Sequence, residues 1–157
     1  MIQPELLNPP QKSNPPKWTI RIWFDGGCSP NPGNKYGSYE VEAYEELVLS
    51  KVRFGLGHGT NNEAEFEALE AALMATIAYL SVIHTPTPEN RVVIFTDSMI
   101  LRNRLMGKNR IFKKAKHAES SGRMYRKAAR ILELLAVFHS FEVIWRNRET
   151  NVARFGH

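Results

Sequence analysis

The chain has 157 residues, with 21 Lys and Arg against 16 Asp and Glu, a formal net charge of +5 and a pI near 9.5. This length suits one domain with its own core, and 43% apolar residues exclude a largely disordered chain. No apolar run approaches the ~20 residues that span a membrane, and no secretory signal opens the sequence, so we expect a monomer without a membrane partner. The single cysteine, Cys28, excludes a disulfide framework and a cysteine-cluster zinc site, which favours a reducing, cytoplasmic setting.

The first half of the chain predicts a flexible leader and three strands. Five of the nine prolines fall in residues 1–17, which predicts a Pro-rich flexible leader before a domain over 18–157. Residues 18–25 are rich in β-forming side chains and end at a glycine pair, as strands do. Alternating patterns predict two more strands over 36–44 and 47–56, and the short linkers between them predict an antiparallel meander.

The second half predicts helices that alternate with strands. The predicted elements are a helix over 61–83, a buried strand over 91–97, a short helix over 98–106 capped by Ser98, a helix from Ser120 or Ser121 to about 138, and a strand over 141–145. This order predicts an α/β fold: a mixed sheet, antiparallel over its first three strands, with helices on its faces.

The chain contains only two aspartates, and each ends a predicted strand. Asp25 is followed by Gly26, and Asp97 is followed by Ser98. An acid after a strand is usually a turn former or a helix cap. Two acids at the same ends of two strands that can be parallel neighbours favour a functional site instead.

Glu65 adds a third acid to this region. At 100° per residue it falls on the apolar face of its helix, where a carboxylate is costly unless it is paired or bound to a cation. The other acids of that helix fall on the solvent side: Glu63, Glu67 and Glu70. A place in the first helical turn is the alternative explanation for Glu65. Three converging acids without a Cys or His cluster favour Mg²⁺ or Mn²⁺ over zinc.

Four segments resemble the motifs of the type 1 ribonuclease H family. The segment Phe24–Gly33 resembles the first motif, Thr60–Glu65 the second and Phe95–Ser98 the third. Trp145–Asn151 resembles the end of the last strand and the following loop. The resemblance runs from about residue 18 to residue 151, and three motifs in this order form a strong signal.

The resemblance implies a ribonuclease H-like fold, which is a five-stranded mixed sheet with its first three strands antiparallel and its last two parallel. It also implies cleavage of the RNA strand in an RNA/DNA hybrid. Two Mg²⁺ or Mn²⁺ ions are expected at the site, with Asp25 bridging both ions and with Glu65 and Asp97 completing the one beside the leaving group. Polar side chains suit contact with 2′-hydroxyls and groove edges. The substrate contacts that we expect in the motif segments are Gly26, Cys28, Asn31, Thr60, Asn61 and Asn62.

The family's fourth carboxylate has no match. It is an aspartate four residues after the motif asparagine, and four residues after Asn151 stands Phe155. The closing helix is therefore expected to be short or absent. Three alternatives remain open: His157 supplies a nitrogen ligand, Glu149 swings in, or the water-activating metal is held by Asp25 and waters alone. We favour His157, which would shift the preference toward Mn²⁺.

Basic residues concentrate between residues 102 and 130. That segment holds 11 of the 21 Lys and Arg and a single acid, which favours a surface for a nucleic-acid backbone over a solvated helix face. We assign Lys113, Lys114 and Lys116 to it, and we place Arg148 beside the site. The alternatives to a hybrid-cleaving enzyme are a weakened or inactive hybrid-binding module and a DNA nuclease on the same fold.

Overall fold

In this computed structural model the described residues are 12, 15–107 and 118–157, with side chains from residue 122 onward in the last range. The strands are β1 (Trp18–Cys28), β2 (Gly33–Ala43), β3 (Glu46–Gly59), β4 (Asn90–Thr96) and β5 (Ser140–Trp145). The helices are α1 (Asn61–Val82), α2 (Met99–Leu105), α3 (Ala118–Leu135) and α4 (Arg148–Phe155), and one 3₁₀ turn covers Thr87–Glu89.

The five strands form one mixed sheet in the order β3-β2-β1-β4-β5. β1 pairs antiparallel with β2 and parallel with β4, and β4 pairs parallel with β5, which confirms the predicted architecture. α1 packs against the first three strands, and α3 packs on α1. The core lies under these helices, and its largest fully buried side chains include Phe24, Phe66, Leu69, Leu73, Ile94, Ile131 and Phe138.

The prediction that β1 ends at its glycine pair is wrong. The strand continues to Cys28, because Gly26 pairs with Gly37 of β2 and the ladder runs on to Lys35. Gly26 is needed for close approach instead: a Cβ there would lie 2.4 Å from the carbonyl carbon of Ala64 in α1. Helix and strand backbones therefore touch at this point, and Asp25 lies inside the strand and not at its end.

α1 forms as predicted, but its assigned solvent face is wrong. Thr60 caps the helix, and its Oγ accepts a hydrogen bond from the Glu63 backbone N–H. Glu67 lies 2.5 Å from Lys35 of β2, and Glu70 lies 3.4 Å from Arg130 of α3. These two acids are partly covered because α3 packs along that side of the helix, which single-helix periodicity cannot show.

The closing helix is present and short. α4 has eight residues and ends at Gly156, whose φ of 76° is left-handed. Most of the predicted leader, residues 1–11, 13 and 14, lies outside the described residues. Lys113, Lys114 and Lys116 lie outside them as well. Within the described ranges, no helix is long and apolar enough to cross a membrane.

Candidate active site

The sheet register brings the two aspartates together. The parallel ladder between β1 and β4 closes with Trp23 opposite Phe95, and Asp25 and Asp97 each follow two residues later. The indole N–H of Trp145, at the end of β5, donates to the Asp97 carbonyl oxygen at 3.2 Å. The neighbouring strand thus holds the turn that carries Asp97.

Glu65 completes a cluster of three carboxylates. It lies in the early part of α1, which is pressed against β1 at Gly26. One carboxylate oxygen each of Asp25, Glu65 and Asp97 lie within 4.8 Å of one another. The convergence that the strand ends and the helical spacing predict is therefore present in the structure.

The burial and the crowding of the cluster disfavour ionisation of its carboxylates. Burial, followed by the charge of Asp97, raises the pKa of Asp25 to about 7. Burial also raises the pKa of Glu65 to about 8, a hydrogen bond from Ser98 opposes the shift, and the charges of Asp97 and Asp25 add to it. Among the described residues, no group hydrogen-bonds the buried Glu65 Oε2. Carboxylates in this state fit a divalent cation, which would supply the missing positive charge.

His157 reaches the same cleft from the end of α4. The left-handed turn at Gly156 sends the chain back toward the sheet, and His157 Nδ1 lies 3.0 Å from Asp25 Oδ2. Its ring stacks on Phe155, with centroids 5.9 Å apart. Phe155, four residues after Asn151, is buried. The imidazole therefore packs on the side chain at the position where the resemblance described above leads us to expect an acid.

A serine supports the far side of the imidazole. His157 Nε2 lies 2.6 Å from the Oγ of Ser38, which sits opposite Asp25 in the register of β1 and β2. Burial, followed by the charges of Arg53 and Arg148, lowers the pKa of His157, which favours the neutral ring. In the tautomer whose Nε2–H donates to Ser38 Oγ, Nδ1 keeps a lone pair, the form in which imidazole binds a metal. Within the described chain, Asp25 Oδ2 is the polar atom that Nδ1 approaches, at 3.0 Å, without the geometry of a hydrogen bond.

The acids and the histidine line one cleft of about 510 Å³. Four further residues that the sequence assigned to substrate contact also line it: Gly26, Cys28, Asn61 and Arg148. Glu149 is exposed and is not among the residues that line the cleft. Of the candidates for a fourth ligand, the structure brings His157 to the carboxylates.

Most of the other predicted contacts line a neighbouring groove of about 340 Å³. It is lined by Asn31, Thr60, Asn61 and Asn62, with Glu63 next to them, and by Arg123 and Met124 of α3. The Asn61 side chain accepts from the Cys28 backbone N–H at 2.7 Å, and Asn31 Oδ1 accepts from the Asn61 backbone N–H at 3.2 Å. These amides tie the loop after β1 to the start of α1. The buried Cys28 thiol is directed at the Gly59 carbonyl oxygen, 3.4 Å away.

Sequence reasoning missed three residues around His157. Tyr36 and Arg53 line the cleft, and Ser38 supports the imidazole. All three lie on β2 and β3, and their alternation pattern reads as ordinary strand. The pairing of Ser38 with Asp25 was the available signal, but it emerges only once the strand register is known.

Comparisons with known proteins agree with this geometry. A family model described as RNase H matches residues 17–147. RNase H1 from the halophilic archaeon Halobacterium salinarum NRC-1 is 25% identical, with 85% of this chain and 89% of that chain covered and a TM-score of 0.64. No curated protein matches the sequence.

Two further solved structures share the fold. The N-terminal RNase H domain of a Mycobacterium tuberculosis protein is 19% identical, covers 85% of this chain and 91% of that one, and has a TM-score of 0.68. LC11-RNase H1, isolated from compost by a metagenomic approach and solved with an RNA/DNA hybrid, is 22% identical over 87% and 91% of the two chains, with a TM-score of 0.69. The chain therefore belongs to the RNase H family, and its enzyme class is that of a ribonuclease H hydrolase.

Proposed function

We propose that this protein cleaves the RNA strand of RNA/DNA hybrids with two divalent metal ions, Mg²⁺ or Mn²⁺, leaving a 5′-phosphate. The observation that carries the proposal is the cluster of Asp25, Glu65 and Asp97 in a chain of the RNase H family. The structure of LC11-RNase H1 in complex with an RNA/DNA hybrid supports the choice of substrate.

The chain's own side chains divide the metal-binding task. Asp25 would contact both ions, Glu65 and Asp97 would complete one ion's set, and His157 Nδ1 would join Asp25 at the other. Two such ions about 4 Å apart supply a nucleophilic water and stabilise the leaving oxygen in phosphodiester hydrolysis. Ser38 would orient the imidazole, and a ligand fixed by an outer hydrogen bond binds more tightly.

The groove beside the cleft suits the hybrid duplex. Its uncharged polar side chains, Asn31, Thr60, Asn61 and Asn62, can reach 2′-hydroxyls and base edges in the shallow groove of the hybrid. Arg148 at the start of α4 lines the cleft and can meet a backbone phosphate. The basic segment around Lys113 would then hold the partner strand.

The deciding experiment compares Asp25→Asn with the parent on a labelled RNA/DNA hybrid in Mg²⁺ and in Mn²⁺. We expect cleavage to fall by roughly a thousandfold or more, because the bridging ligand loses its charge, while hybrid binding is retained. Glu149→Gln is the matched control, since it removes one carboxylate outside the cleft and should cut normally. Equal cleavage by Asp25→Asn would refute the site assignment.

A substrate panel separates the alternatives. Hybrid bound in a gel shift but cut in neither metal would favour a hybrid-binding module, and preferred cutting of DNA would favour a DNA nuclease. The proposed function requires that the parent cut the hybrid and that a chelator abolish the cutting.

The proposed role of His157 as a metal ligand is tested by replacing its side chain. His157→Ala should lower the cleavage rate roughly tenfold to a hundredfold, because one ion loses a ligand. His157→Asp should restore activity and raise the Mg²⁺ rate relative to the Mn²⁺ rate, since a carboxylate is the harder ligand. Unchanged rates and metal preference in both variants would show that His157 does not bind metal.

A further inference from the structure

β3 departs from regular pairing next to the cleft. Its register with β2 shifts by one residue between Gly37 and Tyr39, so that two residues of β3 oppose Ser38. One of the two is Arg53, whose φ of 53° lies in the left-handed region that residues with a Cβ rarely adopt. A bulge of this kind re-aims a side chain, and bulges are frequent beside active sites.

The displaced arginine is held at two points. Its backbone N–H donates to Ser38 Oγ at 2.9 Å, the same oxygen that meets His157 Nε2. Its guanidinium lies over the ring of Tyr36, 5.0 Å from the centroid, and that ring meets His157 edge-on at 4.8 Å. The bulge, the imidazole and the arginine therefore share one support.

The guanidinium is open to solvent and can meet an anion while it rests on Tyr36. Arg53 is exposed and lines the cleft together with Arg148. In the part of the chain that the structure describes, no carboxylate forms an ion pair with it. A surface cation resting on an aromatic ring would not require a left-handed backbone, so the bulge calls for a further explanation.

We propose that the bulge directs Arg53 onto a backbone phosphate of the strand that enters the cleft, on the side of His157. Arg53 is then a substrate-binding residue supplied by the edge strand, and it lines the same cleft as Asn61 at the start of α1. This inference rests on the proposed function, and its test is arranged so that the two can fail separately.

The test uses Arg53→Gly, because glycine accepts the left-handed backbone without strain. The melting temperature should stay the same or rise, whereas KM for the hybrid should rise roughly fivefold to tenfold with little change in kcat. The slope of log affinity against log salt should become shallower by about 1, the signature of one lost phosphate contact. Arg53→Asn should behave in the same way, and Arg53→Lys should recover part of the affinity.

Lys51→Ala is the matched control, since it removes one positive charge from the same strand outside the cleft. It should leave KM and the salt slope close to the parent's. If Arg53→Gly gives the same KM and slope as Lys51→Ala, the inference is overturned, while the loss of cleavage in Asp25→Asn still supports the proposed function. If the parent does not cut the hybrid, the proposed function fails, and fluorescence anisotropy with the uncut hybrid tests the phosphate contact alone.

Discussion

The crowded carboxylates make the metal-free protein sensitive to pH. The folded-state pKa values of Asp25 and Glu65, about 7 and about 8, lie above the ordinary values of 3.8 and 4.5. These two groups therefore bind more protons in the folded state than in the unfolded state between about pH 4.5 and pH 8, and their contribution to the free energy of unfolding falls as the pH rises. His157, whose pKa is lowered, contributes in the opposite sense below about pH 6.5. In a chelator, we expect the melting temperature to drop by roughly 10 °C from about pH 5.5 to pH 8, measured by calorimetry.

A substitution and an added metal ion identify the source of that drop in melting temperature. Asp25→Asn should flatten the pH dependence, because it removes one of the two proton-binding groups and lowers the charge on the other. Saturating Mg²⁺ should remove the loss at pH 8 through binding to the folded state. An equally steep pH profile in Asp25→Asn would place the titrating groups elsewhere.

At the residue scale, the sequence was informative about charge but not about neighbours. The three acids could be found because a lone inward carboxylate and two aspartates at the ends of predicted strands are unusual. Ser38 and Arg53 could not be found, because their roles depend on a one-residue shift between β2 and β3. His157 could be suspected, but its route depends on the left-handed turn at Gly156.

The contact between β1 and α1 sets the distance between Asp25 and Glu65. Gly26→Ala would place a Cβ 2.4 Å from the Ala64 backbone, where no flexible side chain can give way. The helix must shift, so we expect a loss of roughly 1–3 kcal/mol in unfolding free energy and a marked loss of cleavage. Denaturant unfolding measures the first effect and hybrid cleavage the second.

Gly55→Ala provides the comparison for that substitution. Gly55 lies on β3, and a Cβ there meets nothing within 4 Å. It should cost little stability and leave cleavage intact. A Gly26→Ala protein as stable and active as Gly55→Ala would mean that the two backbones are not in contact.

A buried lysine links β2 to α1. Lys35 is 7% exposed, and its Nζ meets Glu67 Oε2 at 2.5 Å, with Lys127 of α3 3.6 Å from the same oxygen. Lys35→Ala should lower the unfolding free energy by about 2 kcal/mol, because Glu67 keeps only its more exposed partner. Lys35→Met should lose a similar amount, and adding Glu67→Leu to it should recover most of the lost free energy, because no unpaired buried carboxylate remains. Urea unfolding measures both proteins. If the two substitutions lower the unfolding free energy additively, the two side chains are not coupled.

At the element scale, type and order were predictable and several boundaries were not. The strands and α1 could be predicted because the spacing of their apolar side chains is a local property of the sequence, and tertiary packing does not change it. The glycine pair after Asp25 resembled a strand end because glycine is unfavourable inside strands. The close contact with α1 nevertheless requires a glycine at position 26. Tertiary packing also explains why Glu67 and Glu70 are partly covered. The periodicity of α1 describes that helix alone and does not show that α3 packs on it.

Charge is unevenly spread over the whole molecule. Residues 102–130 hold 11 of the 21 basic residues, and Arg123 faces the groove beside the cleft. If about four phosphates are neutralised, hybrid affinity should fall roughly a hundredfold between about 50 and about 200 mM salt. Titrations by anisotropy measure this slope.

The basic segment has its own variant for that measurement. Replacing Lys113, Lys114 and Lys116 together by Ala should make the slope shallower by up to about 3. Cleavage at saturating hybrid should be retained, because these lysines are outside the metal-binding set. A slope unchanged from the parent would assign the basic segment to another role.

β1 is the central strand of the sheet, where the antiparallel and parallel ladders meet, and it carries Asp25. Amides in such a strand exchange with solvent only when the entire domain opens. On heating, Asp25 should therefore keep its place until the domain as a whole unfolds, with no intermediate range in which an intact domain has lost its aspartate. The unfolding temperature of this protein thus sets the upper limit at which it can cleave.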